Sequence, residues 1–284
     1  MILIADSGST KCSWVLCDNQ GDVIKEINTI GFNPNLINEN SLQLILEESV
    51  LTKYKESIKD IFFYGAGCTS DNNNMIIQKP LQKLFCNARV SIKHDLEAAC
   101  YAMYNGSPNI TCILGTGSNS CYYNGQDIKE QSPSLGFLIG DEASGNYFGK
   151  EILHLYFNNL MPKELKEKFE EDYEHNLSTI KKNIYNNTRS NAYLASYFPF
   201  VSENKEHPSI QVLINKGLDV FFELHICCYK QHKEIEINFI GSVAHYLSNE
   251  IKETAKKYGC RIGDIIQKPI YRLIKIHSKR LKDL

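Results

Sequence analysis

Two stretches of the chain share one pattern, ILIADSGSTKCSWVLCDNQGDVIKE at residues 2–26 and ITCILGTGSNSCYYNGQDIKE at residues 110–130. Each begins as an apolar strand, continues through a polar turn with glycine into a second strand, and then reaches a hairpin turn that also contains glycine. Each ends on the same Ile-Lys-Glu string. The shared order predicts an internal duplication.

Outside these stretches, hydrophobic periodicity predicts helices, and short apolar runs that end at glycine or a polar residue predict strands. Strands are predicted at 61–64, 90–93, 235–240 and 261–266; helices are predicted at 41–54, 75–85 (interrupted near Pro80), 96–104, 144–158, 163–175, 191–198, 210–230, 246–257 and 269–280. Repeated βββα units with helical inserts indicate an α/β fold in two lobes. We expect domains at 1–107 and 108–268, and a C-terminal helix at 269–284 that packs back on the first domain.

Composition limits the function classes. A chain of 284 residues suits two domains of ordinary size. The formal net charge of −2 gives no general electrostatic reason to bind nucleic acid or an acidic membrane. No apolar run reaches transmembrane length and no basic leader precedes Asp6, so a cytoplasmic protein is expected. The ten cysteines form no CxxC pair and are interpreted as reduced, largely buried thiols rather than metal ligands.

The first turn, Asp6 to Lys11, has the composition of a phosphate-binding loop. Gly8 permits a sharp bend, and the small Ser9 and Thr10 leave amides and hydroxyls available to an anion. Asp6 offers a hard oxygen ligand for Mg²⁺ or its water shell. An ordinary hairpin turn rich in small residues would look the same.

The second turn, Gly115-Thr116-Gly117-Ser118-Asn119, repeats this character. It lacks the third glycine of a dinucleotide-binding fingerprint and the spacing of a Walker A loop. Because each of the two turns opens a duplicated meander, we interpret them as two phosphate-binding loops that face each other.

Three further segments could carry chemistry. Asp95 follows a predicted strand and starts a helix, so it could accept a proton from a sugar hydroxyl or simply cap the helix. Gly136–Ser144 combines glycines with Asp141 and Glu142, which could bind sugar hydroxyls or metal-bound water, or form the first turn of a capped helix. Gly241 and Ser242 follow a buried strand, where glycine would let an adenine ring lie on the backbone or would form a plain strand-to-helix turn.

In this order, the segments resemble the N-acetylglucosamine kinase branch of the BadF/BadG/BcrA/BcrD ATPase family, within the actin-like sugar kinase superfamily. The resemblance covers almost the whole chain and rests on residues 6–11, 94–95, 115–119, 140–144 and 241–244. It implies two duplicated ribonuclease H-like (actin-like ATPase) domains with a cleft between them. It also implies transfer of the ATP γ-phosphate to the 6-hydroxyl of N-acetylglucosamine, with Mg²⁺ and closure of the lobes.

The resemblance also implies residue roles. Asp95 would be the catalytic base, and Asp6 would hold Mg²⁺ through water. The nucleotide and its phosphates would contact Gly8, Ser9, Thr10, Lys11, Gly115, Thr116, Gly117, Gly241 and Ser242. The sugar would contact Asn33, Ser118, Asn119, Leu135, Gly136 and Asp141. Leu135 stands where the animal enzymes carry tryptophan.

Several alternatives stay open. The amino sugar could instead be N-acetylmuramic acid or glucosamine, and a homodimer is an open possibility. The same broad family includes activator ATPases of radical dehydratases, which hold an iron–sulfur cluster through cysteines. A non-catalytic sugar sensor would bind the ligand without turnover.

Overall fold

Two similar five-stranded sheets organise the chain. The computed structural model describes residues 1–282. These divide into two compact units: unit 1 is Met1–Ala102 with the segment from Lys268 onward, and unit 2 is Met103–Gln267. The sequence predicted the divisions at 107/108 and 268/269. Within residues 1–282, no helix is long and apolar enough to cross a lipid bilayer.

Unit 1 is built on the strands β1 (Ile2–Ser7), β2 (Lys11–Cys17), β3 (Val23–Ile30), β4 (Asp60–Gly65) and β5 (Arg89–His94). Their spatial order is β3-β2-β1-β4-β5. β1 to β3 form an antiparallel meander, whereas β1, β4 and β5 run parallel. Parallel neighbours need crossover connections, which are supplied by α1 (Glu39–Glu48), a 3₁₀ helix (Val50–Tyr54) and α2 (Asp71–Leu84); α3 (Asp95–Met103) follows β5.

β1 is apolar on both faces because both faces are covered. Leu3 and Ala5 point into a core with the buried Trp14. Ile2 and Ile4 point to the opposite face, into a second core of the same unit. Alternate residues of a strand face opposite sides, so a strand buried on both sides has a continuous apolar sequence.

Unit 2 repeats the topology with β6 (Asn109–Leu114), β7 (Ser118–Tyr123), β8 (Ile128–Lys129), β9 (Glu236–Ile240) and β10 (Arg261–Ile266). Its order, β8-β7-β6-β9-β10, matches the first sheet strand for strand, with the same antiparallel and parallel pairs. Its helices are α4 (Gly136–Ile139), α5 (Gly145–Phe157), α6 (Lys163–Asp172), α7 (Leu177–Tyr185), α8 (Ser190–Ala195), α9 (Phe198–Glu203), α10 (Pro208–Phe221), α11 (Ser242–Tyr246) and α12 (Ser248–Tyr258). The predicted α/β fold with two related sheets is confirmed.

The chain returns to unit 1 in α13 (Ile270–Lys282). Its residues Ile270, Leu273 and Ile274 are buried on the Ile2–Ile4 face of β1. The helix predicted at 269–284 therefore covers one face of the first sheet, and its last two positions lie outside the described residues.

Several predicted elements differ from those observed. α2 continues through Pro80, whose ring is buried on the same face as Ile77 and Leu81, and this tertiary packing offsets the hydrogen bond that proline removes. The helix predicted over 210–230 ends at Phe221 and gives way to a π-helical turn, Phe222–Ile226. Ser118 and Asn119 lie in β7 rather than in the preceding turn.

Candidate active site

The β1–β2 turn of unit 1 is fixed by the segment that follows β3. Gly8 N–H donates to Lys11 O (3.0 Å) and closes the turn, and Gly31 N–H donates to Thr10 O (3.1 Å). A Cβ at Gly31 would lie 2.1 Å from Gly8 O, so only glycine permits this approach. No local sequence signal marks Gly31 for this role, because the contact joins residues more than twenty positions apart.

Two serines of the turn hold the Gly31–Asn35 segment. Ser7 Oγ accepts from Phe32 N–H (2.8 Å), and Ser9 Oγ accepts from Asn33 Nδ2 (3.0 Å). Asn33 is buried, and its Oδ1 accepts from Asn35 N–H (3.0 Å). Asn33 therefore lies beside the predicted phosphate-binding turn. Its amide nitrogen and its amide oxygen each already make one hydrogen bond.

Asp6 and Asp95 lie at the carboxyl edge of the same sheet. Asp6 is near the end of β1, Asp95 follows the end of β5, and both are half-buried. Burial, together with the Asp95 charge, raises the pKa of Asp6 to about 7, although nearby Lys268 acts in the opposite direction. One Asp95 oxygen is 3.1 Å from His94 Nε2. Sequence reasoning did not select Lys268 as a site residue, because it becomes a neighbour only through the fold.

The Gly115–Ser118 turn of unit 2 is fixed by the N-terminus of α5. Gly145 N–H donates to Gly115 O (2.8 Å), and Asn146 N–H donates to Thr116 O (3.1 Å). The first amides of a helix have no partner within the helix. Here they bind the carbonyls of the turn.

Asp141 supports this turn from its buried side. Its carboxylate accepts from Ser118 N–H (3.2 Å) and from Asn146 Nδ2 (2.6 Å). A Cβ at Gly117 would come within 2.9 Å of the Asp141 carboxylate. Burial raises the pKa of Asp141, and the two hydrogen bonds oppose that rise. Asp141 itself has a left-handed backbone (φ 60°), which is uncommon for a residue other than glycine.

The other residues predicted to bind sugar fall into two groups. Ser118 and Asn119 are buried in β7; Ser118 Oγ has no hydrogen-bond partner within residues 1–282, and Asn119 Nδ2 donates to Glu130 (3.3 Å). Leu135 and Gly136 belong to an exposed apolar turn, where Gly136 has φ 72°. Within the described residues, neither of these two forms a hydrogen bond or shares a hydrophobic core with another residue predicted to bind the sugar.

Gly241 lies against the end of β6. Its φ is 128°, and a Cβ there would lie 2.1 Å from Leu114 O, next to the Gly115 turn. Glycine at this position is therefore required by the backbone itself, and Ser242, which is exposed, begins α11.

Two residues at the site of unit 2 were not predicted from the sequence. Asn146 joins the Gly115 turn to Asp141, and buried His225 contacts Glu142 through Nε2 (2.9 Å). Both contacts connect distant parts of the chain. The sequence signal near Asn146 was the helix cap at Ser144. That signal did not indicate that the Asn146 side chain would bind the Gly115 turn.

Residues of the types that bind metal ions are not clustered in the described part of the chain. Within residues 1–282, no three or more His, Cys, Asp or Glu side chains form a group that could hold a metal ion. Six of the ten cysteines are buried, three are half-buried and Cys86 is exposed; all ten are free thiols.

Comparison with known proteins points to one family. No family model matches the chain. The N-acetyl-D-glucosamine kinase of Dictyostelium discoideum is 25% identical over 166 residues, or 52% of this chain, and the match spans about half (51%) of that curated relative. A crystal structure from Porphyromonas gingivalis, described as a "putative N-acetylglucosamine kinase", is 32% identical with a TM-score of 0.91, and the match covers 98% of this chain and 99% of that one.

A second structure, described as a "putative N-acetylglucosamine kinase" from Chromobacterium violaceum, shows the same fold with 16% identity, a TM-score of 0.64, and coverage of 96% and 98%. The similarity to the Porphyromonas gingivalis protein extends over essentially the full length of both chains. The fold of two similar five-stranded sheets is therefore shared with these structures, and the chain belongs to the N-acetylglucosamine kinase-like proteins.

Proposed function

We propose that the protein transfers the γ-phosphate of ATP to an amino sugar, and that the acceptor is the 6-hydroxyl of N-acetylglucosamine. The observation that carries the proposal is the pair of carboxylates, Asp6 and Asp95, at the carboxyl edge of the unit 1 sheet. They are close enough for the charge of Asp95 to help raise the pKa of Asp6 to about 7. Functional groups of open α/β sheets are commonly found at this edge.

Asp95 is proposed as the catalytic base. It is the first residue of α3, where the helix dipole favours the ionised carboxylate. Asp95 accepts the proton of the sugar hydroxyl as that oxygen bonds to the γ-phosphorus. The bond from this phosphorus to the β–γ bridging oxygen breaks, and ADP leaves. His94, 3.1 Å away, restrains one carboxylate oxygen of the base.

The two glycine turns are proposed to bind phosphates. Gly8, Ser9, Thr10 and Lys11 form one turn, and Gly115, Thr116 and Gly117 form the other. Gly8, Thr10 and Lys11 are exposed, as a phosphate contact requires. Backbone amides in such turns bind anions through several aligned dipoles. Gly241 and Ser242 are proposed to border the adenosine.

Asp6 suits Mg²⁺. A half-buried carboxylate beside a second carboxylate is unfavourable as a charged group, and a divalent cation would relieve that cost. Mg²⁺ is usually held by one or two carboxylates, water and substrate phosphates. When bound, the ion would neutralise negative charge on the ATP phosphates.

The sugar contacts are proposed from Asn33, Ser118, Asn119, Leu135, Gly136 and Asp141. Ser118 Oγ, which is buried and lacks a partner within residues 1–282, supports this assignment, because a sugar hydroxyl would satisfy it. Since the reaction consumes ATP, the proposal includes a cytoplasmic location.

The test is ATP consumption with Mg²⁺ against a panel containing N-acetylglucosamine, N-acetylmannosamine, glucosamine and N-acetylmuramic acid. We expect N-acetylglucosamine to give the highest kcat/KM. Asp95→Asn should lower kcat about 10²–10⁴-fold while sugar binding is retained. The matched control is Asp71→Asn, which also changes a helix's first-turn aspartate in unit 1 but at an exposed position.

The outcomes separate the parts of the proposal. Turnover of a different sugar would replace the acceptor and leave the phosphoryl transfer intact. Full activity in Asp95→Asn would remove the base assignment. An absence of sugar-stimulated ATP consumption in the wild type would contradict the kinase proposal.

A further inference from the structure

The side chain of Asn146 bridges two parts of unit 2 that the proposed function uses. Asn146 is the second residue of α5 and is fully buried. Its Nδ2 donates to Thr116 O (2.7 Å) in the glycine turn and to Asp141 Oδ2 (2.6 Å). The backbone N–H of the same residue also donates to Thr116 O (3.1 Å).

These contacts determine which way the peptide groups of the turn point. In a trans peptide the C=O and the following N–H point in opposite directions. Gly115 O and Thr116 O both point at the start of α5, so the next amides, on Thr116 and Gly117, point away from that helix. Two successive amides directed to one side form an anion-binding concavity.

We propose that Asn146 is a positioning residue that holds the Gly115–Gly117 turn in this orientation and thereby sets the affinity for the nucleotide phosphates. The inference rests on the proposed function, in which this turn binds phosphate. Asn146 acts through the turn and does not touch the substrate. It also holds the Asp141 carboxylate, whose other oxygen accepts from Ser118 N–H (3.2 Å) at the far end of the turn. One carboxamide therefore supports both ends of the turn.

The chemistry of the contacts requires a double donor at position 146. Both partners of Nδ2, a carbonyl and a carboxylate, are acceptors, and a primary amide supplies two N–H groups. Asn146 Oδ1 is buried without a partner within residues 1–282, which is unfavourable for stability. An apolar side chain at position 146 would avoid this cost. A residue that is unfavourable for stability is expected where the functional site requires it.

Substitution by aspartate gives a discriminating variant. Asn146→Asp has nearly the same shape but places a second carboxylate against Asp141. When ionised, it repels both Asp141 and Thr116 O. When protonated, its O–H can donate to one of them. The other charged groups near Asp141 are Lys150 and Glu142, and Glu142 contacts His225. These groups are unchanged in every variant, so ratios to the wild type at each pH isolate position 146.

The experiment measures binding of a non-hydrolysable ATP analogue with Mg²⁺ to the full chain by calorimetry at pH 6 and pH 8. We expect Asn146→Ala to raise the Kd at least tenfold over the wild type at both pH values. Asn146→Asp should show a similar rise at pH 8 and recover at least threefold relative to the wild type at pH 6. The matched control is Asn109→Ala, which removes an equally buried asparagine of unit 2 at the opposite end of β6 and should stay within threefold.

Three results would overturn the inference. These are a Kd of Asn146→Ala within threefold of the wild type, an absence of acid recovery in Asn146→Asp, and an equal loss in Asn109→Ala. An ionised carboxylate buried at position 146 would also destabilise the fold, so chemical denaturation of Asn146→Asp is measured at pH 6 and pH 8. We expect the variant to be folded at both pH values, so that its change in Kd reports the turn; Asn146→Ala, which adds no charge, tests the same role without this effect. Failure of the proposed function has a different signature, since the wild type would then bind the analogue without transferring phosphate to any sugar.

Discussion

At the scale of single residues, the two units use polar groups differently. In unit 1 the half-buried Asp6 and Asp95 lie close together, and the pKa of Asp6 rises to about 7 because of burial and the neighbouring charge. In unit 2 the buried Asp141 is hydrogen-bonded and supports the glycine turn. The first arrangement suits a cation and a proton acceptor, whereas the second provides rigidity.

The Asp6 carboxyl should make stability depend on pH. Its pKa is 3.8 when unfolded and about 7 when folded, so the folded state binds the extra proton between these values. The stabilising contribution is complete below pH 4 and is lost as the pH rises through 7. We compare the free energies of unfolding of Asp6→Asn and the wild type without Mg²⁺ and nucleotide. Their difference should shift in favour of the variant by roughly 2 kcal/mol from pH 5 to pH 8, a value reduced for partial exposure.

Chemical denaturation at pH 5, 6, 7 and 8 measures this dependence. Asp22→Asn, which changes an exposed aspartate in the β2–β3 turn, is the control and should follow the wild type. Parallel curves for Asp6→Asn and the wild type would show that Asp6 does not titrate in this range.

Gly241 should tolerate no side chain. A Cβ would lie 2.1 Å from Leu114 O at φ 128°, so Gly241→Ala combines a backbone clash with an unfavourable conformation. We expect a loss of about 3 kcal/mol or more in the free energy of unfolding. Gly106→Ala is the matched control, because Gly106 also has a positive φ (100°) but has open space around it.

The Gly106→Ala variant should lose only about 1 kcal/mol, the conformational cost alone. Urea denaturation of both variants gives the difference, which is the contribution of the clash. Equal losses would mean that the backbone around Leu114 moves to accommodate a methyl group.

At the scale of elements, helix α13 has the clearest energetic role. Leu273 and Ile274 are buried against β1 and β2 in the core that also contains Ile2 and Ile4. This helix follows the last strand in sequence but covers the first strand of the chain. The stability of unit 1 therefore depends on two segments that are distant in sequence.

Leu273→Ala should destabilise unit 1 by about 2–5 kcal/mol, since it removes a fully buried leucine and leaves a cavity. Lys275→Ala, two positions later on the exposed face of the same helix, should change stability by no more than about 0.5 kcal/mol. Chemical denaturation monitored by circular dichroism makes the comparison. Similar values for the two variants would mean that α13 contributes little to the stability of the unit.

At the scale of the whole molecule, the duplication is the organising feature. Each sheet begins with a strand, a glycine turn and an antiparallel strand, and each continues with two parallel strands on the other side of the first. The turns at 7–11 and 115–118 consequently have equivalent places in the two units. The hairpin turns at 18–22 and 124–127 lie at the opposite ends of the second strands.

This equivalence predicts where a nucleotide slows amide hydrogen exchange. With a non-hydrolysable ATP analogue and Mg²⁺, exchange should slow at both 7–11 and 115–118, and it should be unchanged at 18–22 and 124–127. Exchange followed by mass spectrometry on the full chain is the measurement. Protection of only one glycine turn would limit the phosphate contacts to that unit.

Local sequence pattern was sufficient to predict the α/β class, the repeated meander and the positions of both glycine turns. These depend on short apolar runs and turn-forming residues, which act within a few positions of the chain. It also placed Asp6 and Asp95 at strand ends. The prediction of an interruption near Pro80 was wrong, because the buried face formed by Ile77, Pro80 and Leu81 stabilises α2, and burial is a property that local pattern does not reveal.

The partners of these residues follow from the packing of the folded chain. Gly31 lies on the β1–β2 turn, Asn146 reaches back thirty residues to Thr116, and Lys268 lies near Asp6. Each contact joins segments that are distant in sequence, and none leaves a periodic or compositional trace. Hydrogen bonds and close approaches of this kind depend on the packing of whole elements, so they become visible only when the fold is known.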